Sequence, residues 1–178
     1  IDGGAGNDII TGGSGNDTIL GGDGADNITS NGGVDSILGG AGNDTVVAVL
    51  TQGNVIDGGD GTDALSLATA ATAATAAGVR NFETLTLTAT GLTQDMTLFV
   101  DNGLNTFTRV NISGAISETF TNVGSGTNTV GFTSTGTLTG FTRLVDTATD
   151  TLTLNVTGGS AVASVTANTE NTINVVGA

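Results

Sequence analysis

Apolar residues in the first third of the chain recur at a fixed interval. Isoleucine, valine or leucine stands at every ninth position, with one step of ten, at Ile1, Ile10, Ile19, Ile28, Ile37, Val46, Ile56 and Leu65. This period fits neither a helix nor one long alternating strand, but it is typical of parallel β-helices. We therefore predict short strands whose apolar middle residue points into a narrow core, with two units forming each coil.

The remainder of the chain has a different pattern, in which threonine alternates with apolar residues. The alternation begins at Thr84 and recurs at 97–100, 106–112, 129–133, 151–156 and 172–176. It predicts strands with one buried face. The predicted fold class is all-β, with a parallel β-roll over residues 1–66 that widens into a β-helix over residues 67–178. A small antiparallel β-sandwich is the alternative for the second region.

A low-complexity run of threonine and alanine, residues 69–77, separates the two patterns. Alanine favours a helix and β-branched threonine opposes it. We predict a short helix within residues 69–78 that covers the coil, and a flexible linker is the alternative.

Each nine-residue unit reads G-G-x-G-x-D-x-U-x, where U is the apolar position. Aspartate stands at the sixth position in Asp8, Asp17, Asp26, Asp35, Asp44 and, after one irregular unit, Asp63. Because two units make a coil, alternate units stack. We predict a long column of Asp8, Asp26, Asp44 and Asp63 and a short column of Asp17, Asp35 and Asn54. Ile1 and Asp2 fit the end of a preceding unit, so we expect the sequence to begin inside a repeat array.

Stacked strands lie about 4.8 Å apart, so carboxylates in one column would repel each other unless a cation lay between them. Ca²⁺ accepts six to eight oxygen ligands, which carboxylates and glycine carbonyls can supply, whereas Mg²⁺ requires a smaller octahedron. Zn²⁺ prefers nitrogen and sulfur ligands. The alternative is a calcium-free solenoid with Asx turns, but asparagine or serine would serve such turns equally well. We therefore predict calcium.

These units resemble the RTX family, the calcium-binding nonapeptide repeats of proteins exported by bacterial type I secretion. The resemblance implies a right-handed parallel β-roll with each calcium between turns two units apart. It implies carbonyl ligands from the second and fourth positions of the earlier turn and the first and third positions of the later turn, together with both aspartates. About four ions are expected.

Carried onto this sequence, the resemblance implies four ligand sets. They are Gly4, Gly6, Asp8, Gly21, Asp23 (backbone) and Asp26; Gly22, Gly24, Asp26, Gly39, Ala41 and Asp44; Gly13, Gly15, Asp17, Ser30, Gly32 and Asp35; and Gly40, Gly42, Asp44, Gly58, Asp60 and Asp63. Ser30 and Asn31 replace Gly-Gly in the third set, so we expect some strain in that turn. Asn54 replaces aspartate in the irregular unit, where we expect a bulged or empty turn and a doubtful fifth site.

The composition argues against catalysis and against binding to nucleic acid. The chain of 178 residues has no histidine or cysteine and only three basic residues, against 17 acidic ones, which gives a net charge of −14. We predict that it is not an enzyme and that it repels nucleic acid. No apolar run reaches the roughly 20 residues of a membrane-spanning helix, so no membrane insertion is expected.

The segment from Gly78 to Gly91, GVRNFETLTLTATG, resembles segments of large RTX surface-layer and adhesin proteins. We therefore predict a calcium-dependent structural segment of a secreted bacterial surface-layer protein that makes homo-oligomeric lattice contacts on the cell surface. The alternatives are an RTX adhesin or ligand-binding module and the C-terminal secretion domain of a type I exported enzyme. The remaining carboxylates could hold further calcium, but we interpret them as surface charges: Asp95, Asp101, Glu118, Asp146, Asp150 and Glu170.

Overall fold

The computed structural model of the chain describes residues 1–89, 93–95, 97–100, 109–112, 117–123, 129–132, 137–143, 151–156 and 172–177. The predicted strands at 106–112 and 129–133 lie partly outside these residues. Asp101, Asp146, Asp150 and Glu170, named above as carboxylates, lie outside them altogether, and only the backbone of Asp95 and Glu118 is described.

Short strands make up almost all of the regular structure. In chain order they are β1 (Asp2–Ala5), β2 (Ile9–Gly13), β3 (Thr18–Asp23), β4 (Asn27–Asn31), β5 (Ser36–Ala41), β6 (Thr45–Ala48), β7 (Val55–Asp60), β8 (Ala64–Leu67), β9 (Val79–Arg80), β10 (Thr84–Leu87), β11 (Thr93–Asp95), β12 (Arg109–Ile112), β13 (Ser117–Val123), β14 (Thr129–Phe132), β15 (Thr137–Arg143), β16 (Thr151–Val156) and β17 (Thr172–Gly177). Several strands run on into the first residues of the next unit, beyond the three residues that the repeat pattern predicts.

The chain alternates between two faces of a solenoid. One sheet has the order β1-β3-β5-β7-β9, and a second has the order β17-β16-β14-β12-β10-β8-β6-β4-β2. A third sheet, β11-β13-β15, follows the first one in the sequence. Every strand pair among the described residues is parallel. The prediction of an all-β parallel solenoid is confirmed, and the antiparallel sandwich is wrong.

The coils lengthen along the chain. Ile9 pairs with Asn27, 18 residues later, whereas Thr84 pairs with Arg109, 25 residues later. The nine-stranded sheet runs without interruption through this change. The narrow coils therefore continue into wider ones on a shared sheet.

The recurring apolar residues form the core. All of them except Ile1 are buried, and Ile19, Ile28, Val46, Ile56 and Leu65 have no exposed surface. Ile1 is 57% exposed. Each fully buried side chain of this size contributes about 1.5–3 kcal/mol, so the stacked isoleucines stabilise the roll along its whole length.

The threonine–alanine run contains one helical turn, α1 (Ala73–Ala76). Thr72 caps its N-terminus by accepting a hydrogen bond from the Thr75 N–H, and the Thr75 hydroxyl oxygen accepts one from the Thr72 N–H in return. Ala76 is fully buried against the core. This turn lies between the eighth and ninth strands and covers that part of the coil.

A second short helix, α2 (Thr97–Val100), corrects the strand predicted at 97–100. Successive side chains of a strand point to opposite faces. Here two successive residues face the same core, because Phe99 is fully buried and Leu98 packs against the same cluster. An alternation of only four residues is too short to separate a helix from a strand. No helix among the described residues has the length and apolarity required to cross a bilayer.

Candidate metal centre

The sixth-position aspartates stack in columns, and each column is linked by hydrogen bonds. In the long column the backbone N–H of Asp8 donates to Asp26 Oδ1, that of Asp26 to Asp44 Oδ1, and that of Asp44 to Asp63 Oδ1, each at 2.8 Å. In the short column the N–H of Asp17 donates to Asp35 Oδ1 at 3.1 Å. One carboxylate oxygen of each accepting aspartate is thereby paired and held in a fixed orientation.

The other carboxylate oxygen of each aspartate is buried and has no hydrogen-bond partner. This holds for Oδ2 of six residues, Asp8, Asp17, Asp26, Asp35, Asp44 and Asp63. Four of them, Asp26, Asp35, Asp44 and Asp63, have at most 2% of their surface exposed. A buried charged oxygen without a partner is strongly destabilising. The same unpaired oxygen in six repeats therefore indicates that something outside the chain binds these oxygens.

The unpaired oxygens face backbone carbonyl groups of the next coil. A Cβ atom built on Gly21 would lie 2.5 Å from Asp26 Oδ2 and closer still to the carbonyl oxygen of Gly39. The same juxtaposition joins five of the six unpaired oxygens to a first-position carbonyl of the next coil, in the pairs Asp8 with Gly21, Asp17 with Ser30, Asp26 with Gly39, Asp44 with Gly58, and Asp63 with Asn81. Two acceptors held this close to the same point repel, and a cation bound by both relieves the repulsion.

Second- and fourth-position glycines bring further carbonyl groups close to the next turn. A Cβ atom on Gly22, which has a φ of 114°, would collide with the carbonyl oxygen of Gly4, and one on Gly24 would collide with that of Gly6. The pairs Gly15 with Gly33, Gly22 with Gly40, and Gly24 with Gly42 repeat this contact. Only glycine fits here without strain. The predicted carbonyl ligands therefore line the interface between stacked turns. Gly13 stands at the second position of its own turn, and its φ of 126° lies in the left-handed region that favours glycine.

Third-position carbonyls have a partner within the protein. The carbonyl oxygens of Asp23, Ala41 and Asp60 accept hydrogen bonds of 2.7–2.8 Å from fourth-position N–H groups of the turn two units earlier. One lone pair of each oxygen is thus used. A cation at these carbonyls would take the second lone pair. In the short column the third-position residue is Gly32. A Cβ atom built on it would have no other atom within 4 Å, so this side of the turn is open.

The turn that begins with Ser30 keeps its position in the stack, although Ser30 and Asn31 replace the two glycines of the repeat. The Ser30 carbonyl still lies beside Asp17 Oδ2, and Ser30 is fully buried. Asn31 adopts a left-handed backbone with a φ of 60°, which asparagine tolerates better than most residues. The register against the neighbouring strand shifts between Thr29 and Asn31. The expected strain is therefore located at Asn31.

Asn54 closes its turn with its own amide group. With its nitrogen directed inward, the amide lies 3.1 Å from the carbonyl oxygens of both Thr51 and Gly33. The opposite orientation offers only contacts of 3.4 Å to the Asp35 N–H and 3.5 Å to the Val49 carbonyl. We assign the first orientation because it gives the amide hydrogens two well-placed acceptors. The expected irregular turn is therefore closed by the protein itself.

Fifth-position asparagines form a further ladder that the sequence pattern did not reveal. The side-chain oxygens of Asn7, Asn16 and Asn43 accept hydrogen bonds of 2.8–2.9 Å from the N–H groups of Ala25, Val34 and Thr62. The recurring Gly-Asn-Asp triplet was the available signal. These bonds fix the spacing of the turns from which the aspartates project.

Burial, with neighbouring negative charge, raises the pKa of two aspartates at the far end of the long column. Burial raises the pKa of Asp63 to about 6; the hydrogen bond from the Asp44 N–H opposes this shift, and the charges of Asp44, Glu83 and Asp57 add to it. Burial also raises the pKa of Asp44, to which the charge of Asp26 contributes. Arg80 does not neutralise the column, since its ion pair at 2.7 Å is with Asp57. The fold thus holds these carboxylates where ionisation is unfavourable without a cation.

The donor set fits calcium. Every candidate ligand atom is a carboxylate or carbonyl oxygen, as a hard cation of this size prefers. No three acidic side chains converge within the described part of the chain. A site here therefore requires backbone carbonyls in addition to its two carboxylates, and the glycine turns place those carbonyls beside the unpaired oxygens.

The architecture and the acidic columns define a parallel β-solenoid of stacked cation-binding turns. Comparison with protein families agrees: the family model HemolysinCabind, the RTX calcium-binding nonapeptide repeat, matches four copies over residues 1–28 and 11–46. The N-terminal segment thus carries RTX calcium-binding repeats, and the resemblance noted in the sequence is confirmed there. Searches of curated proteins and of solved structures gave no significant match.

Proposed function

We propose that this chain is a calcium-dependent structural segment of a secreted bacterial surface-layer protein, which folds and assembles when it meets extracellular calcium. The unpaired buried oxygens of the aspartate columns carry the calcium part of this proposal. The surface-layer part is supported by the likeness of residues 78–91 to surface-layer segments, and the RTX repeats over residues 1–46 are typical of type I secretion.

Calcium would act by linking binding to folding. Each proposed site takes its carboxylates from two turns that adjoin only in the folded coil, so the unfolded chain offers no site. In calcium-poor cytosol, repulsion within the columns and the entropy of a glycine-rich chain oppose folding. Extracellular calcium sites with a Kd of about 10⁻⁴ to 10⁻³ M fill at millimolar calcium, and several coupled sites make the transition steep.

The repeats themselves are structural rather than catalytic, and we extend this role to the whole chain. Calcium would stabilise the roll, and the roll would present a rigid surface for contacts with further copies of the chain. We expect those contacts to form on the outer faces of the sheets, where Ile9, Leu20 and Leu38 are partly or largely exposed.

Circular dichroism tests the calcium dependence. We expect a largely unfolded spectrum in EGTA and a β-rich spectrum at about 5–10 mM calcium, a concentration chosen above the expected Kd. Magnesium at the same concentration is the control and should restore little structure. Identical spectra in EGTA and calcium would show the proposal to be wrong.

Electron microscopy of the parent protein tests the surface-layer role. Two-dimensional sheets that form with calcium and dissolve in EGTA are the expected result. Isolated rods under both conditions would favour the adhesin or ligand-binding alternative, because a roll that does not assemble acts as a spacer.

A further inference from the structure

The long column of aspartates does not end with the last nonapeptide unit. Asp63 stands opposite Glu83, because Ala64 pairs with Thr84 in the nine-stranded sheet. The N–H of Asp63 donates to Glu83 Oε2 at 2.7 Å, as the N–H of Asp44 donates to Asp63 Oδ1 at 2.8 Å. Glu83 therefore occupies the sixth position of one further turn.

That further turn is shorter than the others. Between the paired residues Asp57 and Ala64 lie residues 58–63, whereas between their partners Arg80 and Thr84 lie only residues 81–83. Glutamate has one methylene more than aspartate, which lets its carboxylate reach the column from the shorter loop. The missing residues and the changed side chain explain why the nine-residue period did not reveal this position.

The shortened turn also keeps a first-position carbonyl. A Cβ atom built on Gly58 would lie 2.7 Å from Asp63 Oδ2 and closer still to the carbonyl oxygen of Asn81. Asn81 has a φ of 59°, and its amide group donates to Asp57 Oδ1 at 2.7 Å. These features hold the carbonyl beside Asp63 in the arrangement found in the preceding coils.

Asp63 Oδ2 lacks a partner in this arrangement. The residue is 1% exposed, and this oxygen is buried with no hydrogen bond. Arg80 lies close along the chain, but its ion pair is with Asp57. A buried carboxylate oxygen, a carbonyl and a second carboxylate thus lie close together at the end of the long column.

We infer that Asp63, Glu83 and the Asn81 carbonyl form a further calcium site, which closes the long column beyond the nonapeptide repeats. The shortened turn has no residue at the third position, so this site has fewer protein oxygens than the interior sites and takes more of its ligands from water. It should consequently bind calcium more weakly and fill last. The inference rests on the proposed calcium-dependent function.

Native mass spectrometry of the 178-residue chain in calcium counts the bound ions and tests this site. Glu83→Gln keeps an oxygen that can accept the Asp63 N–H but removes the charge, and we expect it to bind one calcium fewer than the wild type. Asp2→Asn, which changes an exposed carboxylate by the same charge, should bind as many ions as the wild type.

A second pair of variants tests the site without altering Glu83. Asp63→Asn should lose two ions, because Asp63 would bridge two sites, whereas Asp8→Asn should lose one. A full ion count in Glu83→Gln, or equal losses in Asp63→Asn and Asp8→Asn, would overturn the inference. A wild-type chain that binds no calcium would instead overturn the proposed function itself.

Discussion

The two aspartate columns use the same turn but close it differently. In the long column, hydrogen bonds of 2.7–2.8 Å run from Asp8 to Glu83, and the aspartate Oδ2 oxygens remain unpaired. In the short column the ladder stops at Asp35, and the amide of Asn54 donates to the Gly33 carbonyl. An amide nitrogen thus stands where the long column would need a cation. The comparison indicates that the coil itself can close a turn without calcium, whereas each column aspartate keeps a buried oxygen that a proposed calcium ion would bind.

The largest loss of stability is expected from removing an aspartate that would bridge two calcium sites. Asp26→Ala should abolish two calcium sites, and Asp17→Ala only one. At calcium about tenfold above Kd, each lost site costs about 1.4 kcal/mol, so the two variants should lose about 3 and about 1.4 kcal/mol. Denaturant unfolding and ion counting in calcium would measure both losses. Equal calcium loss from the two variants would contradict the assignment of the columns.

A smaller loss of stability is expected from a glycine that lies against a carbonyl of the neighbouring turn than from one that does not. Gly40→Ala places a Cβ atom against the Gly22 carbonyl at a φ of 120°, and we expect it to cost about 2 kcal/mol. Gly32→Ala is the matched control, since nothing lies within 4 Å of its built Cβ atom, and its effect should stay within about 0.5 kcal/mol. Denaturant midpoints in saturating calcium measure both. Comparable losses would mean that the close carbonyl contact between turns is not important for stability.

The smallest effect should come from making the short column resemble the long one. Asn54→Asp should add one calcium ion and about 1.4 kcal/mol of stability at calcium tenfold above Kd, while lowering stability in EGTA, where the amide donor is lost. Asn43→Asp adds the same charge at an exposed fifth position and should add no ion. Ion counts and unfolding curves with and without calcium check this. An unchanged ion count in Asn54→Asp would show that the short column cannot hold a further cation.

The regular part of this molecule could be predicted from its sequence because the period of the repeat equals half a coil. The nine-residue spacing places Ile19 above Ile37 and Asp26 above Asp44, and the structure pairs both sets. Such predictions need only the number of residues in each coil and the chemistry of oxygen ligands. They hold wherever the unit length stays constant.

Features that depend on a change in unit length could not be read in the same way. Glu83 stands 20 residues after Asp63, and only the strand register shows that the two are neighbours. Residues 97–100 form a helix where their alternation predicts a strand, because four residues carry too little periodicity to decide between the two structures. The role of the Asn54 amide depends on its distances to two carbonyls, which no spacing encodes.

The offset within the hydrogen-bond ladder also sets how the roll can grow. The N–H of each aspartate in the long column donates to a carboxylate 18 to 20 residues further along the chain. A proposed site is therefore complete only when the following coil has been laid down, and each new coil finishes the site of the one before it. The smallest increment of folding is then one coil together with one ion. A chain that enters a calcium-containing medium gradually would fold one coil at a time. Each bound ion would oppose the unfolding of the coil that completed its site.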